Sequence, residues 1–331
     1  MKAGWYEQNG PANEVIQIGE IDTPIPGPNE VRVRLYASGV NPSDVKKRAG
    51  SRGGKTGARI IPHSDGAGVI DQVGVNLDPN KIGERVWVYN GQYERQDGTA
   101  AEFISLPISQ VVALPGNVSF NEGACLGIPA MTAHRCLFSD GFITGQMILV
   151  TGGAGAVGNY AIQLAKWGKA NVITTISSDK KAMHANQAGA DHVINYRTQD
   201  VIETINNITG AKGVDRIVEV DFGANLPVTK EILRVNGTIA CYASMGIPEP
   251  TVPFYPLMVK NIKIRLVLVY NMPEEAKQQA AKDISQAIND GKLTHPIAAV
   301  YPLEQLADAH LAVESGTHIG NVIVEIGAGQ E

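Results

Sequence analysis

The feature that most constrains this chain is a glycine-dense segment near its middle. Residues 147–168 read MILVTGGAGAVGNYAIQLAKWG, in which an apolar run leads into a glycine turn and then into apolar residues at helical spacing. Glycines in such a turn allow a sharp change of direction, let backbone approach a pyrophosphate and let the helix pack closely on the strand. The free N–H groups at the start of that helix favour an anion. A glycine pattern alone is weak evidence, but this one predicts the phosphate-binding corner of a dinucleotide-binding fold.

The composition is that of a globular protein of about two domains. The chain has 331 residues, of which 44% are hydrophobic and 18% charged. Its net charge of −5 and the lack of a Lys/Arg cluster argue against nucleic acid as a partner. Neither a signal peptide nor a membrane-spanning stretch is recognisable, so we expect a cytoplasmic protein. Cys125, Cys136 and Cys241 form no C-x-x-C pair and predict buried thiols rather than disulfides or a structural zinc site.

The first 120 residues or so have the pattern of an all-β domain. Short runs rich in Val and Ile recur at residues 15–18, 31–35, 68–73, 85–88 and 111–113, and Gly, Pro and Asn separate them. Short strands with this regular punctuation predict a partly open barrel or a sandwich.

From residue 121 onward the pattern changes to alternating helices and strands. A helical pattern at residues 122–137 precedes the glycine segment, and further apolar strand runs follow it at 172–176, 192–196, 216–220, 238–242 and 262–269. Alternation of this kind predicts a doubly wound parallel sheet with helices on both faces. Its ligand would bind beyond the carboxyl ends of the strands, near residues 151–157, 176–178, 196, 220–222 and 242–245.

The last 60 residues predict a return to the first domain. Residues 273–288 and 303–313 have helical patterns, and residues 321–326 form an apolar strand run. We therefore divide the chain into a β-rich catalytic domain at 1–121, a dinucleotide-binding domain at 122–270 and a C-terminal segment at 271–331 that rejoins the first domain.

Several motifs follow one another along most of the chain: SGVNPSD at 38–44, HSDGAGV at 63–69, EGACLGIP at 122–129 with MTA at 131–133, TGGAGAVG at 151–158, VINY at 193–196, YPL at 301–303, AH at 309–310 and Gly320. In this order they resemble the medium-chain dehydrogenase/reductase superfamily, and within it the zinc-free quinone oxidoreductase (zeta-crystallin-like) branch. The resemblance implies an α/β protein with a GroES-like, partly open barrel domain and a Rossmann domain built on a doubly wound parallel sheet.

The two segments that hold zinc in other members of the superfamily differ here. Zinc-containing relatives have a Cys in the first motif and Gly-His-Glu in the second, whereas residues 37–41 read ASGVN and residues 62–65 read PHSD. His63 alone cannot hold a catalytic zinc ion, which needs about three protein ligands. We interpret His63 as a turn residue with a local hydrogen bond. The resemblance therefore implies a metal-free site that delivers hydride to an already activated acceptor.

The end of the second strand of the parallel sheet indicates the cofactor. A carboxylate there would bind a ribose 2′-hydroxyl, but this chain has Ser177 and Ser178, followed by Lys181. Asp179 lies past the strand end and is interpreted as the cap of the next helix. Hydroxyls with a lysine suit a phosphate, and the family uses a lysine and a tyrosine at the positions of Lys181 and Tyr196. We therefore predict NADPH.

The resemblance also implies the remaining residues of the site. Asn41 is expected near the nicotinamide, where Asp44 or solvent would relay a proton; Asp44 can equally be read as the cap of a short helix. Arg52 stands where relatives have a tyrosine and is the expected substrate-side residue. The other expected cofactor contacts are Thr132, Gly152, Gly153, Ala154, Gly155, Ala156, Val157, Gly158, Asn225, Tyr242, Ala243, Ser244, Met245, Leu268, Val269 and Tyr270.

Together these features predict an NADPH-dependent reductase that passes hydride to a quinone. Two alternatives remain open. One is a 2-alkenal or enoyl reductase acting on α,β-unsaturated carbonyls, and the other is a non-catalytic, crystallin-like protein that binds NADPH. The family further implies a homodimer through the last sheet strand, at residues 263–269, whose alternative interpretation is a covered core strand.

Overall fold

The computed structural model describes residues 1–51 and 57–327, which form two compact units. The first unit contains Met1–Ile128 and the chain from His295 onward, and the second contains Pro129–Thr294. None of the helices within the described ranges has both the length and the apolar character needed to cross a membrane.

The strands are, in chain order, β1 (Lys2–Trp5), β2 (Gln17–Glu20), β3 (Glu30–Val40), β4 (Asp65–Val73), β5 (Arg85–Val88), β6 (Phe103–Pro107), β7 (Val111–Ala113), β8 (Met147–Val150), β9 (Asn171–Ile176), β10 (His192–Asn195), β11 (Val214–Glu219), β12 (Leu233–Cys241), β13 (Lys263–Leu266), β14 (Ile297–Pro302) and β15 (Asn321–Glu325). The α-helices are α1 (Ala12–Val15), α2 (Pro42–Arg48), α3 (Phe120–Gly123), α4 (Met131–Phe138), α5 (Ala156–Trp167), α6 (Asp179–Gln187), α7 (Val201–Thr209), α8 (Phe222–Ile232), α9 (Phe254–Val259), α10 (Glu274–Asn289) and α11 (Leu306–Ser315).

The first unit is built on a largely antiparallel sheet, which confirms the predicted β-rich domain. Its strands lie in the order β14-β15-β3-β4-β5-β7, and β6 also pairs with β3. Along β3 the side chains of Val31, Val33 and Leu35 alternate inward and are buried, as the two-residue period of a strand requires. Strand β15 comes from the end of the chain and pairs antiparallel to β3.

One predicted strand of this unit, at residues 15–18, was wrong in its position. Residues 12–15 form the short helix α1, and strand β2 begins only at Gln17. Pro11 directly precedes this helix. The fixed φ of proline suits the start of a helix, which explains why the short apolar run around Val15 is not extended.

The second unit is built on a parallel sheet, as predicted. Its strand order is β10-β9-β8-β11-β12-β13, with parallel pairing throughout. From β8 the chain winds outward to β9 and β10, and it then returns to β11 and winds the opposite way. This reversal creates a switch point between β8 and β11, where ligands of such folds bind at the carboxyl ends of the strands.

The second unit also includes α10, which follows the predicted domain boundary at residue 270. Ala280 and Ile284 of this helix are fully buried, and Asp283 lies 2.8 Å from Nε2 of His134 on α4. A helix with an apolar face is stabilised by covering it against a neighbouring element. That packing places the boundary of the compact unit at Thr294, so the residue-270 boundary falls inside it.

Candidate functional site

The glycine turn lies at the carboxyl end of β8 and leads into α5. Gly152 has a φ of +68°, a left-handed conformation that residues with a side chain rarely adopt. A Cβ atom at Gly153 would overlap with Oγ1 of Thr174, and one at Gly158 would overlap with the carbonyl oxygen of Gly152. These glycines therefore allow the turn and the close packing of helix on sheet that the sequence predicts.

The start of α5 has the properties of an anion-binding site. Gly155 is its N-cap residue and forms no side-chain cap hydrogen bond, and the helix begins at Ala156. The N-cap residue therefore offers no side chain to the first backbone N–H groups of this 12-residue helix. Such a helix start suits the diphosphate of a dinucleotide.

Parallel pairing brings the polar ends of β9 and β10 next to the glycine turn. The N–H of Gly153 donates to the carbonyl of Thr175 at 3.2 Å, and the N–H of Tyr196 donates to that of Ile176 at 3.1 Å. Just beyond β9, Nζ of Lys181 donates to Oγ of Ser177 at 3.1 Å. Ser177 and Lys181 therefore follow the end of β9, and Tyr196 follows the end of the adjacent strand β10, as predicted.

The cap of helix α6 is not the residue that the sequence indicated. Ser178 is the N-cap, and its hydroxyl accepts the backbone N–H of Lys181 at 3.5 Å. Asp179 is the first residue of the helix and is exposed. A carboxylate in the first turn is still favoured by the helix dipole, so Asp179 keeps a structural role.

Glu219, at the end of β11, is a site residue that sequence reasoning missed. Its Oε1 accepts hydrogen bonds from Thr151 Oγ1 at 2.9 Å, from the N–H of Asp221 at 2.7 Å and from Nδ2 of Asn225 at 2.7 Å. The residue is fully buried, and Oε2 has no hydrogen-bond partner among the described residues. Burial raises the pKa of this carboxyl above its usual value. The sequence signal for this residue was its position as an acidic residue at the end of an apolar strand run. In the structure, that strand end lies next to the glycine turn.

Two further predicted segments follow β12 and β13. After β12, the carbonyl of Ala243 accepts the N–H of Phe222 at 2.9 Å, and Oγ of Ser244 accepts that of Gly223 at 2.9 Å. After β13, Leu268 is 45% exposed and Val269 is buried. Tyr242, Met245 and Tyr270 belong to the same two segments, and Thr132 lies buried in the first turn of α4.

In the first unit, Asn41 is held between two buried carboxyl groups. Its backbone N–H donates to Oδ2 of Asp44 at 2.8 Å, and its Nδ2 donates to Oδ2 of Asp65 at 2.8 Å. Asp65 also accepts the N–H of Ile128 at 2.9 Å, and burial raises the pKa of Asp65 well above its usual range. Asp44 completes the capping box of α2, the structural role that the sequence offered as one reading. Arg52 lies outside the described residues.

His63 takes part in a buried chain of hydrogen bonds. Thr99 Oγ1 donates its hydrogen to the carbonyl of Asp65 at 2.6 Å. The hydroxyl of Ser38 lies 2.7 Å from Thr99 Oγ1 and must therefore be the donor of that hydrogen bond. Nδ1 of His63 must then donate to Ser38 at 2.8 Å, and Nε2 of His63 accepts from Nε2 of His310 at 2.9 Å. The prediction of a local hydrogen bond for His63 is therefore wrong, because Ser38 and His310 lie 25 and 247 positions away along the chain. Its backbone has a φ of +77°. Within residues 1–51 and 57–327, no cluster of three or more His, Cys, Asp or Glu side chains could hold a metal ion.

Comparison with known proteins gives a consistent assignment. Residues 27–116 match the family model "Alcohol dehydrogenase GroES-like domain", and residues 156–286 match "Zinc-binding dehydrogenase". Human quinone oxidoreductase is 32% identical over 316 residues, covering 94% of this chain and 93% of the relative. A 2-haloacrylate reductase from a Burkholderia species is 28% identical over 343 residues, covering 98% of both chains.

Solved structures agree with this result. The structure of Escherichia coli quinone oxidoreductase complexed with NADPH superimposes with a TM-score of 0.86 at 25% identity, covering 98% of this chain and all of that one. The GroES-like and Rossmann-type domains that the motifs implied are thus confirmed. This chain belongs to the quinone oxidoreductases of the medium-chain dehydrogenase/reductase superfamily.

Proposed function

We propose that this oxidoreductase uses NADPH to reduce a quinone and that it needs no metal ion. The single observation that carries the choice of cofactor is the pairing of Lys181 with Ser177 just beyond β9, next to the glycine turn. A cation and a hydroxyl at this strand end suit the 2′-phosphate of NADPH, where a carboxylate would repel it. The NADPH complex of the Escherichia coli relative supports the same choice.

The chain's own residues would bind and orient the reactants. The N–H groups at the start of α5 would hold the diphosphate, while Lys181, Ser177 and Tyr196 would hold the 2′-phosphate. The bound cofactor supplies the hydride. Asn41 uses one hydrogen of Nδ2 to bind Asp65, so the other can donate to the oxygen of the acceptor as negative charge develops there.

The cofactor preference can be tested with a matched pair of lysine variants. Lys181→Ala should raise the Kd for NADPH by about tenfold or more, the effect of losing one charged contact, and should leave the weaker NADH binding unchanged. Lys180→Ala removes an exposed neighbouring charge and serves as the control. Equal losses in both variants, or a loss for NADH as well, would contradict a 2′-phosphate contact.

The reaction can be tested by following NADPH oxidation with p-quinones and with enones as acceptors. We expect turnover of p-quinones that Asn41→Ala lowers with little change in NADPH affinity. Turnover of neither acceptor class above background would rule out the enzymatic function and favour the non-catalytic, crystallin-like alternative.

A second candidate is a reductase of α,β-unsaturated carbonyls. The Burkholderia 2-haloacrylate reductase supports it, because that relative is nearly as similar to this chain as human quinone oxidoreductase. A kcat/KM for 2-alkenals or 2-haloacrylate far above that for quinones would select this alternative.

We also propose that the protein is a homodimer through the free edge of β13. This strand lies at one end of the six-stranded sheet, and Leu266 is 78% exposed on it. Val259 and Met258 of the neighbouring helix α9 are exposed as well. An edge strand that exposes an apolar side chain such as Leu266 is a ready site for pairing with another chain. The three free, buried cysteines suit a reducing compartment, and we propose the cytoplasm as its location.

A further inference from the structure

A small cavity in the second unit lies beside the last strand of the parallel sheet. One of its lining residues, Leu268, is also an expected cofactor contact, and another, Leu266, lies on the proposed dimer edge. The cavity has a volume of about 160 Å³, which corresponds to roughly five water molecules. Two arginines face it, Arg135 from the last turn of α4 and Arg265 from β13. The rest of its wall comes from Leu266, Val267, Leu268, Asn271, Met272 and Pro273.

The charges around this cavity are unbalanced. Next to Arg265, the carboxylate of Asp140 forms three salt bridges: with Arg216 at 2.8 Å, with Lys263 at 2.9 Å and with Arg265 at 2.8 Å. Three cations on one carboxylate hold the pKa of Asp140 well below its usual range. Arg135 adds a fourth cation, so the cluster carries an excess of three positive charges.

Hydrogen-bond donors are also left over on both arginines. Arg135 forms no hydrogen bond or salt bridge with the residues that the structure describes, and Nε of Arg265 is buried without a partner. Burial and the charge of Arg265 lower the pKa of Arg135, and the opposing effect of Asp140, which already binds three other cations, does not offset them.

We propose that this cavity binds a small oxyanion, a phosphate or a carboxylate, between the guanidinium groups of Arg135 and Arg265. A planar guanidinium presents its donors as a fork that matches two oxygens of such a group. The apolar wall, including Met272 and Pro273, lowers the local dielectric and strengthens the interaction. The ligand would relieve the repulsion between the two arginines.

The proposal can be tested with the cofactor-free, full-length protein, without any measurement of turnover. Inorganic phosphate is titrated by calorimetry, and the melting temperature is followed in phosphate and in sodium chloride of equal ionic strength. We expect saturable phosphate binding and a higher Tm in phosphate. Arg135→Gln should weaken phosphate binding about tenfold or more, because it removes a charged donor pair. Lys212→Gln removes an exposed charge elsewhere in the unit and should change nothing.

A second readout separates a specific site from general salt effects. In chloride alone, Arg135→Gln should be at least as stable as the wild type, because it removes like-charge repulsion and breaks no hydrogen bond or salt bridge among the described residues. Malonate replaces phosphate in a parallel titration: tighter phosphate binding would identify a phosphate ligand, and tighter malonate binding a carboxylate ligand. Equal effects of phosphate and chloride, or equal stabilisation of wild type and Arg135→Gln by phosphate, would overturn the proposal. Because neither readout involves NADPH or an acceptor, such a failure leaves the proposed reductase function untouched.

Discussion

Glu219 joins three parts of the candidate cofactor site through a single oxygen atom. Thr151 begins the glycine turn, Asp221 precedes α8, and Asn225 lies in its first turns; all three donate to Oε1. A buried acceptor of this kind is costly to remove, because the N–H of Asp221 and Nδ2 of Asn225 then lose this acceptor, while Thr151 Oγ1 keeps the carbonyl of Val218 at 3.2 Å. We therefore regard Glu219 as a positioning residue for the turn and for Asn225.

Substitutions of Glu219 should separate its role as an acceptor from its charge. Glu219→Ala should lower the free energy of unfolding by about 2 kcal/mol and weaken NADPH binding roughly tenfold, since it removes the acceptor of Asp221 N–H and Asn225 Nδ2. Glu219→Gln keeps an oxygen at the same place and should retain most of both properties. Urea denaturation and NADPH fluorescence titration would measure the two effects. A Gln variant as impaired as the Ala variant would show that the carboxyl group itself is required.

The glycines of the turn should divide into two functional classes. Gly158→Ala brings a Cβ atom against the carbonyl oxygen of Gly152, and should lower the free energy of unfolding by about 1–3 kcal/mol. Gly155 is exposed, and a Cβ there would lie 3.4 Å from the same oxygen. Gly155→Ala should therefore fold with near-normal stability and lose NADPH affinity, because its methyl group covers the turn that the diphosphate approaches. Gly116→Ala, where a Cβ meets open space, is the control for both measurements. Unchanged NADPH affinity in Gly155→Ala would contradict the proposed phosphate site.

Among the elements, β13 is an edge strand that leaves an apolar side chain, Leu266, exposed. It pairs with β12 on one side, and its other side is the edge of the sheet. Leu266→Lys should therefore shift the protein from dimer to monomer in light scattering, because a charge at an apolar edge opposes pairing. Val235→Lys introduces the same charge at another exposed apolar position and should leave the dimer intact. A wild-type protein that is monomeric at micromolar concentration would exclude the proposed dimer.

For the molecule as a whole, buried histidines make the free energy of unfolding depend on pH. Burial, with the nearby charge of Arg48, lowers the pKa of His310 to about 3, and burial lowers that of His295 to about 4. Above pH 6.5 both histidines are neutral in the folded and in the unfolded chain, so their contribution to stability is complete. Below pH 6.5 the unfolded chain takes up protons that the folded chain does not, and stability falls until the pH reaches the folded pKa.

A single variant can isolate this effect from the other titrating groups. Each such histidine should contribute a slope of about 1.4 kcal/mol per pH unit below pH 6.5. Between pH 6.5 and pH 5, the free energy of unfolding of the wild type should therefore fall by about 2 kcal/mol more than that of His310→Gln. His192→Gln, which removes an imidazole at an exposed position, is the control. Parallel curves for wild type and His310→Gln in urea denaturation would mean that His310 titrates normally.

The two kinds of domain, the glycine turn and the residues after β9 could be predicted from the sequence, because these features depend on local signals. The two-residue period of apolar side chains in a strand, the change from strand to helix and a glycine at a turn can each be recognised in a window of about 20 residues. The prediction that Ser177 and Lys181 follow the second strand needed only the position of that strand. Local patterns were less reliable at boundaries, as α1 and the Ser178 cap of α6 show.

Which polar residues are buried, and what they contact, could be seen only in the folded chain. Glu219 and Asp65 resemble ordinary acidic residues in the sequence, and their roles follow from strands that are distant along the chain. Likewise, the cavity between Arg135 and Arg265 exists because α4 and β13, some 130 residues apart, meet in space. The physical reason is that burial and charge balance are sums over many neighbours, and folding alone brings those neighbours together.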